Sequence, residues 1–300
     1  MPSRFRVTSA RAIAGLGIAA AVAVLVAAPA ATGAAPAATR QSMSGIGTLL
    51  YPDATAIYRG DPTGASRLMG GPGVRGDSVI RLISWSGLPW LVYSNASNGP
   101  ERVKLTNSTR ALWIDSRGRL HLHIVKIDGV WRSVELRSLN TVSYGTYRLI
   151  NDTATGKFAD QTVFGMFLYR PGTKKYTNEI DIENSRFPHY LKAPNNAQFA
   201  VQPYNHRHHA HPYHVKPSFS PLFQQFTWYP PYGGAGTVKF QTRVGSTRHS
   251  PLLTRWTYHG ASSPTDQNMY LYLDLWLNRG KAPKHGTHSA TLRSLVISPF

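Results

Sequence analysis

The segment Glu179-Ile180-Asp181-Ile182-Glu183 places three acids at alternate positions, with β-branched residues between them. On a helix, 179 and 183 would share a face and 181 would point away. On a strand all three carboxylates leave one face and both isoleucines enter the core. Neighbouring carboxylates resist joint ionisation, so a strand with a purely structural role has no reason to carry three of them. Retaining glycoside hydrolysis does have such a reason. It needs one ionised carboxylate as nucleophile and one protonated acid, roughly 5–5.5 Å apart.

Geometry raises an objection. Cα atoms four positions apart on a strand are separated by about 13 Å. Two glutamate arms must lean together, so the strand is expected to curve along the floor of a cleft. Asp181 would then hydrogen-bond one glutamate and raise the pKa of the acid. The competing reading is a solvated acidic face.

These side chains need a frame. From residue 79 onward, short β-branched and aromatic runs alternate with turn residues, and long helical periodicity is absent. The runs are Ser78–Ser84, Leu120–Ile127, Gly145–Ile150, Thr162–Tyr169, Gln198–Gln202, Thr237–Arg243, Met269–Trp276 and Thr291–Ser298. The pattern predicts an all-β sandwich or barrel. Leu120, Leu122 and Ile124 share one face, opposite His121 and His123. In 270–276 the leucines face one side, and Tyr270, Tyr272, Asp274 and Trp276 the other. That second face suits a sugar, whose rings stack on aromatics while its hydroxyls seek polar partners; rings capping a sandwich edge would leave the same pattern.

Arg4, Arg6 and Arg11 precede an apolar run from Ala12 to Ala28, and Ala28-Pro29-Ala30 offers a small-residue cleavage site. Residues 1–38 read as a secretory signal peptide. Residues 39–78, rich in Gly, Ser, Pro and Asp, read as an irregular arm, and 79–300 as one domain. The chain has no cysteine, so core burial alone must hold it, which its length allows. Its net charge of +19 becomes +16 when the leader's three arginines are removed. Such charge favours polyanions, and retention near an anionic wall. In sequence, however, the Lys and Arg are scattered, and no basic run with interleaved aromatics marks a nucleic-acid binder. Between His206 and His214 lie five histidines, which fit a polar loop over the cleft better than a metal site: no Cys or closely spaced acid completes a ligand set.

The acidic pentapeptide resembles the signature of glycoside hydrolase family 16, in the form without a bulge residue found in lichenases. The resemblance extends to Val134-Glu135-Leu136-Arg137-Ser138 with Tyr144-Gly145-Thr146-Tyr147, to Phe167-Leu168-Tyr169, to Gln198-Phe199 and to Asp274-Leu275-Trp276. Trp113-Ile114-Asp115 with Gly118-Arg119-Leu120 resembles an early turn. These segments run in family order through roughly residues 80–300.

The resemblance implies a concanavalin-like β-jelly-roll of two antiparallel sheets, with the cleft on the concave one. It assigns Glu179 as nucleophile, Glu183 as acid/base and Asp181 as the assisting carboxylate. Glu135, Arg137, Phe167, Tyr169 and Trp276 would line sugar subsites, Trp276 as the main stacking platform. Gln202 has the parity to join them, where the family often has Asn. Tyr176-Thr177-Asn178 replaces a usual Trp, and Asp274 stands where lichenases have Asn; both bear on sugar choice more than on the reaction. No cofactor is required, although the resemblance allows a structural calcium ion without identifying ligands.

The expectation is therefore a secreted, monomeric retaining endo-glycosidase acting on a β-1,3- or β-1,3-1,4-glucan. It would engage neither nucleic acid nor, once the leader is cleaved, a membrane. Two enzymatic alternatives stay open on the same fold: cleavage of an acidic or sulfated galactan, and transfer to another sugar. A non-catalytic carbohydrate-binding wall protein is the alternative outside enzymes. Specificity is expected to reside in loops 85–110 and 203–235.

Overall fold

The computed structural model describes residues 57–58, 79–94, 103–171, 178–187, 191–265 and 268–300. The signal peptide assigned to 1–38 lies outside them, as does the arm at 39–78 apart from two residues. In chain order the strands begin with β1 (Ile57–Tyr58), β2 (Val79–Trp85), β3 (Leu88–Ser94), β4 (Leu112–Ile114), β5 (Leu120–His123) and β6 (Val125–Ile127). There follow β7 (Val130–Arg132), β8 (Val134–Ser138), β9 (Gly145–Asn151), β10 (Thr162–Tyr169), β11 (Glu179–Asn184) and β12 (Ala197–Val201). The last are β13 (Ala210–Tyr213), β14 (Leu222–Tyr232), β15 (Ala235–Val244), β16 (Leu252–Gly260), β17 (Tyr270–Leu277) and β18 (Ser289–Pro299). Among the described residues the helical elements are short 3₁₀ turns, and no helix is long and apolar enough to cross a membrane.

A nine-stranded sheet has the order β1-β2-β3-β8-β17-β10-β11-β12-β13, and a seven-stranded sheet the order β16-β15-β14-β9-β18-β5-β4. Paired strands in both are antiparallel, giving the all-β jelly-roll sandwich expected. Strand alternation builds the core. From the first sheet come Ile180 and Ile182 of β11, Phe164, Met166 and Leu168 of β10, and Leu271, Leu273 and Leu275 of β17. The second sheet supplies Leu120, Leu122, Tyr147, Leu149, Phe226 and Trp228, and all of these side chains are fully buried. Burying a large apolar side chain contributes about 1.5–3 kcal/mol, so the isoleucines fix which face of β11 the acids must take. The β2–β3 hairpin turns on Ser86 and Gly87, both at positive φ, as a tight turn between right-twisted strands requires.

Four expectations change. The arm is not wholly irregular, since Ile57–Tyr58 pairs with β2. Leu120–Ile127 is two strands: β5 joins the seven-stranded sheet, and β6 pairs with β7 in a separate hairpin. The presumed loop 85–110 contains β3; residues 95–102 lie outside the described set. The presumed loop 203–235 contains β13 and β14. In β14 the fully buried Gln224 interrupts apolar alternation, and its Nε2 donates to Asn184 Oδ1 at 3.0 Å. Pro230 and Pro231 sit where its register with β15 slips, so they cost no ladder bond there.

Candidate active site

Register assembles the site on the outward face of the nine-stranded sheet. Glu179 lies opposite Tyr169, Asp181 opposite Phe167, and Glu183 opposite Gly165. One strand further, Tyr169 meets Tyr270, Phe167 meets Tyr272, and Gly165 meets Asp274. On β8, Arg137 faces Tyr272 and Glu135 faces Asp274. The face thus carries five carboxyls, Glu135, Glu179, Asp181, Glu183 and Asp274, among aromatic rings. Three of the chain's four glutamates are here.

Gly165 lets this row close up. A Cβ at that position would come within 2.5 Å of Asp274 Oδ1, so only a glycine leaves room for that carboxyl beside Glu183. On the other flank, β12 presents Ala200 opposite Asp181 and Gln198 opposite Glu183. Gln198 Nε2 donates to Glu183 Oε2 at 2.6 Å, and Gln202 Nε2 donates to Asp181 Oδ2 at 2.9 Å. Beside Arg137, itself 3% exposed, the guanidinium carbon lies 4.1 Å from the Tyr270 ring centroid and 5.8 Å from that of Tyr93. Phe167 stacks on Tyr272 at 4.9 Å, and Tyr169 meets Tyr272 edge-on at 6.1 Å.

Electrostatics follows from crowding in a recess. Asp181 and Asp274 are 2% exposed, while Glu179, Glu183 and Glu135 keep partial solvent access with protein on most sides. Desolvation is the leading cause of every shift. It raises Glu183 to about 7, with the Gln198 hydrogen bond working against it. It raises Glu135 to about 7, with the charge of Arg137 opposing. Burial and then the charge of Glu183 push Glu179 to about 8, against a hydrogen bond from Asp181 that favours the Glu179 anion. Asp181 is driven well above the usual carboxylate range by burial and by the charges of Glu179 and Glu183. Asp274 is raised by burial and then by Glu135 and Glu183. At neutral pH this cluster therefore holds protons. A protonated Asp181 that donates to Glu179 while accepting from Gln202 is the contact that works against this rise and favours the Glu179 anion.

Glu179, Asp181, Glu183, Glu135, Arg137, Phe167, Tyr169 and Gln202 thus occupy one surface. Trp276 shares their parity, but its ring is packed with Val103, Leu105, Val163 and Phe187 and is 7% exposed. It walls one end and offers no open platform. Tyr176 and Thr177 lie outside the described residues.

Two members of the histidine segment turn away from this face. His211 pairs with Phe199, whose side chain points between the sheets, and it stacks between Phe199 and Trp256 with centroids 6.0 Å from each. His209 packs edge-on against Tyr258 of the other sheet at 5.1 Å. Among the described residues no group of three or more ligating side chains could hold a metal. Positions in the candidate site that sequence reasoning missed are Tyr93, Gly165 and the donor role of Gln198. Period-two counting offers the parity of each, but only register brings them to the acids.

No protein-family model and no curated protein matches the sequence. Among solved structures the chain is similar to a Bacillus licheniformis beta-glucanase, with TM-score 0.52 and 19% identity over 72% of this chain and 94% of that one. It is also similar to a structure described as a native glycosidic hydrolase, with TM-score 0.51 and 15% identity over 70% and 90% of the two chains. A beta-1,3-1,4-glucanase (lichenase) from a mouse hindgut metagenome gives 0.49 and 18% over 70% and 93%. At these identities the likeness is one of fold.

Proposed function

We propose that this protein is a secreted retaining glycoside hydrolase of the family 16 type, cleaving internal bonds of a β-1,3- or β-1,3-1,4-glucan. One observation carries the reading: three carboxyls leave a single strand on the same recessed face, and two of them are held by amide donors from β12 and the residue that follows it. Fold alone would not select a reaction. The glucan is favoured because the solved relatives with matching folds include a beta-glucanase.

In this reading the Glu179 carboxylate attacks the anomeric carbon as Glu183 gives its proton to the departing glycosidic oxygen, leaving a glycosyl ester on Glu179. Glu183, now ionised, takes a proton from water; the water oxygen displaces Glu179 and product leaves with its configuration retained. Asp181 hydrogen-bonds Glu179 and steadies its charge as the ester forms and breaks. Phe167 and Tyr169, both partly exposed, offer ring faces to the sugar with the buried Tyr272 behind them, and Glu135, beside the buried Arg137, offers a polar contact at one side.

The test is release of reducing ends from mixed-linkage glucan, laminarin, agarose and carrageenan. Activity is expected on one of the first two. Glu179→Gln and Glu183→Gln should each lower it by about 10³-fold or more while the fold persists. Near-normal turnover by either variant would overturn the assignment, and cleavage of agarose or carrageenan alone would overturn the glucan.

A further inference from the structure

The outward face of the seven-stranded sheet carries the opposite charge. Strands β9, β14, β15 and β16 contain no Asp or Glu, yet they bring Arg148, Lys239, Arg243 and Arg255 to one side. Register aligns Arg148, Gln225, Gln241 and Arg255 in one row across the four strands. Three strand spacings separate its ends, about 14 Å. The next row runs Thr146, Thr227, Lys239, Thr257. Between these rows lies a groove of about 620 Å³ lined by Thr227, Tyr229, Lys239, Gln241, Arg255 and Thr257 among others.

Arg148 and Arg243, beside the groove, are oriented by neutral partners. Arg148 Nε donates to Gln225 Oε1 at 3.1 Å and Nη1 to Ser298 Oγ at 2.9 Å. Arg243 Nε donates to Gln241 Oε1 at 3.0 Å and Nη1 to the Ser250 carbonyl at 2.8 Å. Among the described residues no carboxylate pairs with any of the four. Lys239 and Arg255 are exposed.

We infer that this groove is a second binding surface, taking an acidic polysaccharide on the side of the sandwich away from the carboxyl cluster. The exposed Lys239 and Arg255, flanked by the oriented Arg148 and Arg243, match its anionic groups, and the glutamine amides and threonine hydroxyls between them match sugar hydroxyls. A nucleic acid would call for free ring faces in series. Here the Tyr229 ring is engaged by Phe300 at 5.2 Å and by Lys239 Nζ at 5.1 Å, and Trp256 by Phe240 at 5.3 Å. Bound this way, the protein would be held on an anionic matrix while its acidic face stays open.

The experiment measures binding of the full chain to labelled polygalacturonate, dextran sulfate, neutral dextran and a short DNA duplex at low salt. It reads no cleavage, so it fails or succeeds separately from the hydrolase reading. One or both acidic glycans should bind at least about tenfold more tightly than dextran and than DNA, and their ranking tells carboxylate from sulfate. Lys239→Gln/Arg255→Gln should weaken that binding about tenfold. The charge-matched Lys104→Gln/Lys126→Gln, at exposed sites elsewhere, should change it less than about threefold. The inference is overturned by equal binding of dextran, by tighter binding of DNA, or by equal loss in the two double variants.

Discussion

On β11 three acids leave alternate positions of a single strand. Across the sandwich, four cations come from three strands, spaced by glutamine and threonine. Both faces concentrate like charge, but they bear its cost differently. The acids sit in a recess where desolvation is the leading cause of each displaced titration. Lys239 and Arg255 stay in water, where like charges some strands apart are screened within about 10 Å. Charge crowded out of water holds free energy that a reaction can draw on. Charge spaced in water is suited to contact.

The largest effect that would sharpen this contrast is at Asp181. If it acts as a protonated donor to Glu179, Asp181→Asn keeps a donor for Glu179 and an acceptor for Gln202. That variant should retain activity within about tenfold, whereas Asp181→Ala should lose about 100-fold, read as kcat on whichever glucan is cleaved. Equal losses in the two would mean that the charge of Asp181 matters and its proton does not.

A smaller effect concerns stability against pH. Folding raises Glu183 from 4.5 to about 7, so between those values the folded chain binds a proton that the unfolded chain has released. The group's contribution is whole below about pH 4.5 and is lost as pH rises through 7. Glu183→Gln removes this loss. Discounted for partial solvent access, the variant should gain about 1–2 kcal/mol relative to the parent on moving from pH 5 to pH 8, by denaturant titration. A constant difference across that range would show that the recess does not desolvate Glu183.

Where period two and residue type suffice, the sequence is a good guide. The acids of β11, the leucine and tyrosine faces of β17 and the inward leucines of β5 fall where alternation puts them. What depends on register between distant segments is not legible. Trp276 has the right parity for a platform, but Val103, Leu105 and Phe187 cover it from remote stretches. Gln198 reaches Glu183, and Gly165 makes room for Asp274, only because β12 and β10 flank β11 with the observed offsets. His211 lies between the sheets because β13 pairs with β12. The basic residues look scattered because more than a hundred positions separate Arg148 from Arg255, until antiparallel pairing sets them in one row.

The smallest expected effect bears on the cationic face. If those side chains serve contact and not structure, removing two of them should leave the fold almost untouched. Lys239 and Arg255 are exposed, their strands bury Val238, Phe240 and Tyr258 on the other side, and among the described residues neither cation has a carboxylate partner to strand. Lys239→Gln/Arg255→Gln should therefore unfold within about 0.5 kcal/mol of the parent at both pH 5 and pH 8, while Glu183→Gln separates from it as pH rises. A loss of about 2 kcal/mol in the double variant would make these cations part of what holds β15 to its neighbours. The two faces would then differ in the sign of their charge and not in the use the fold makes of it.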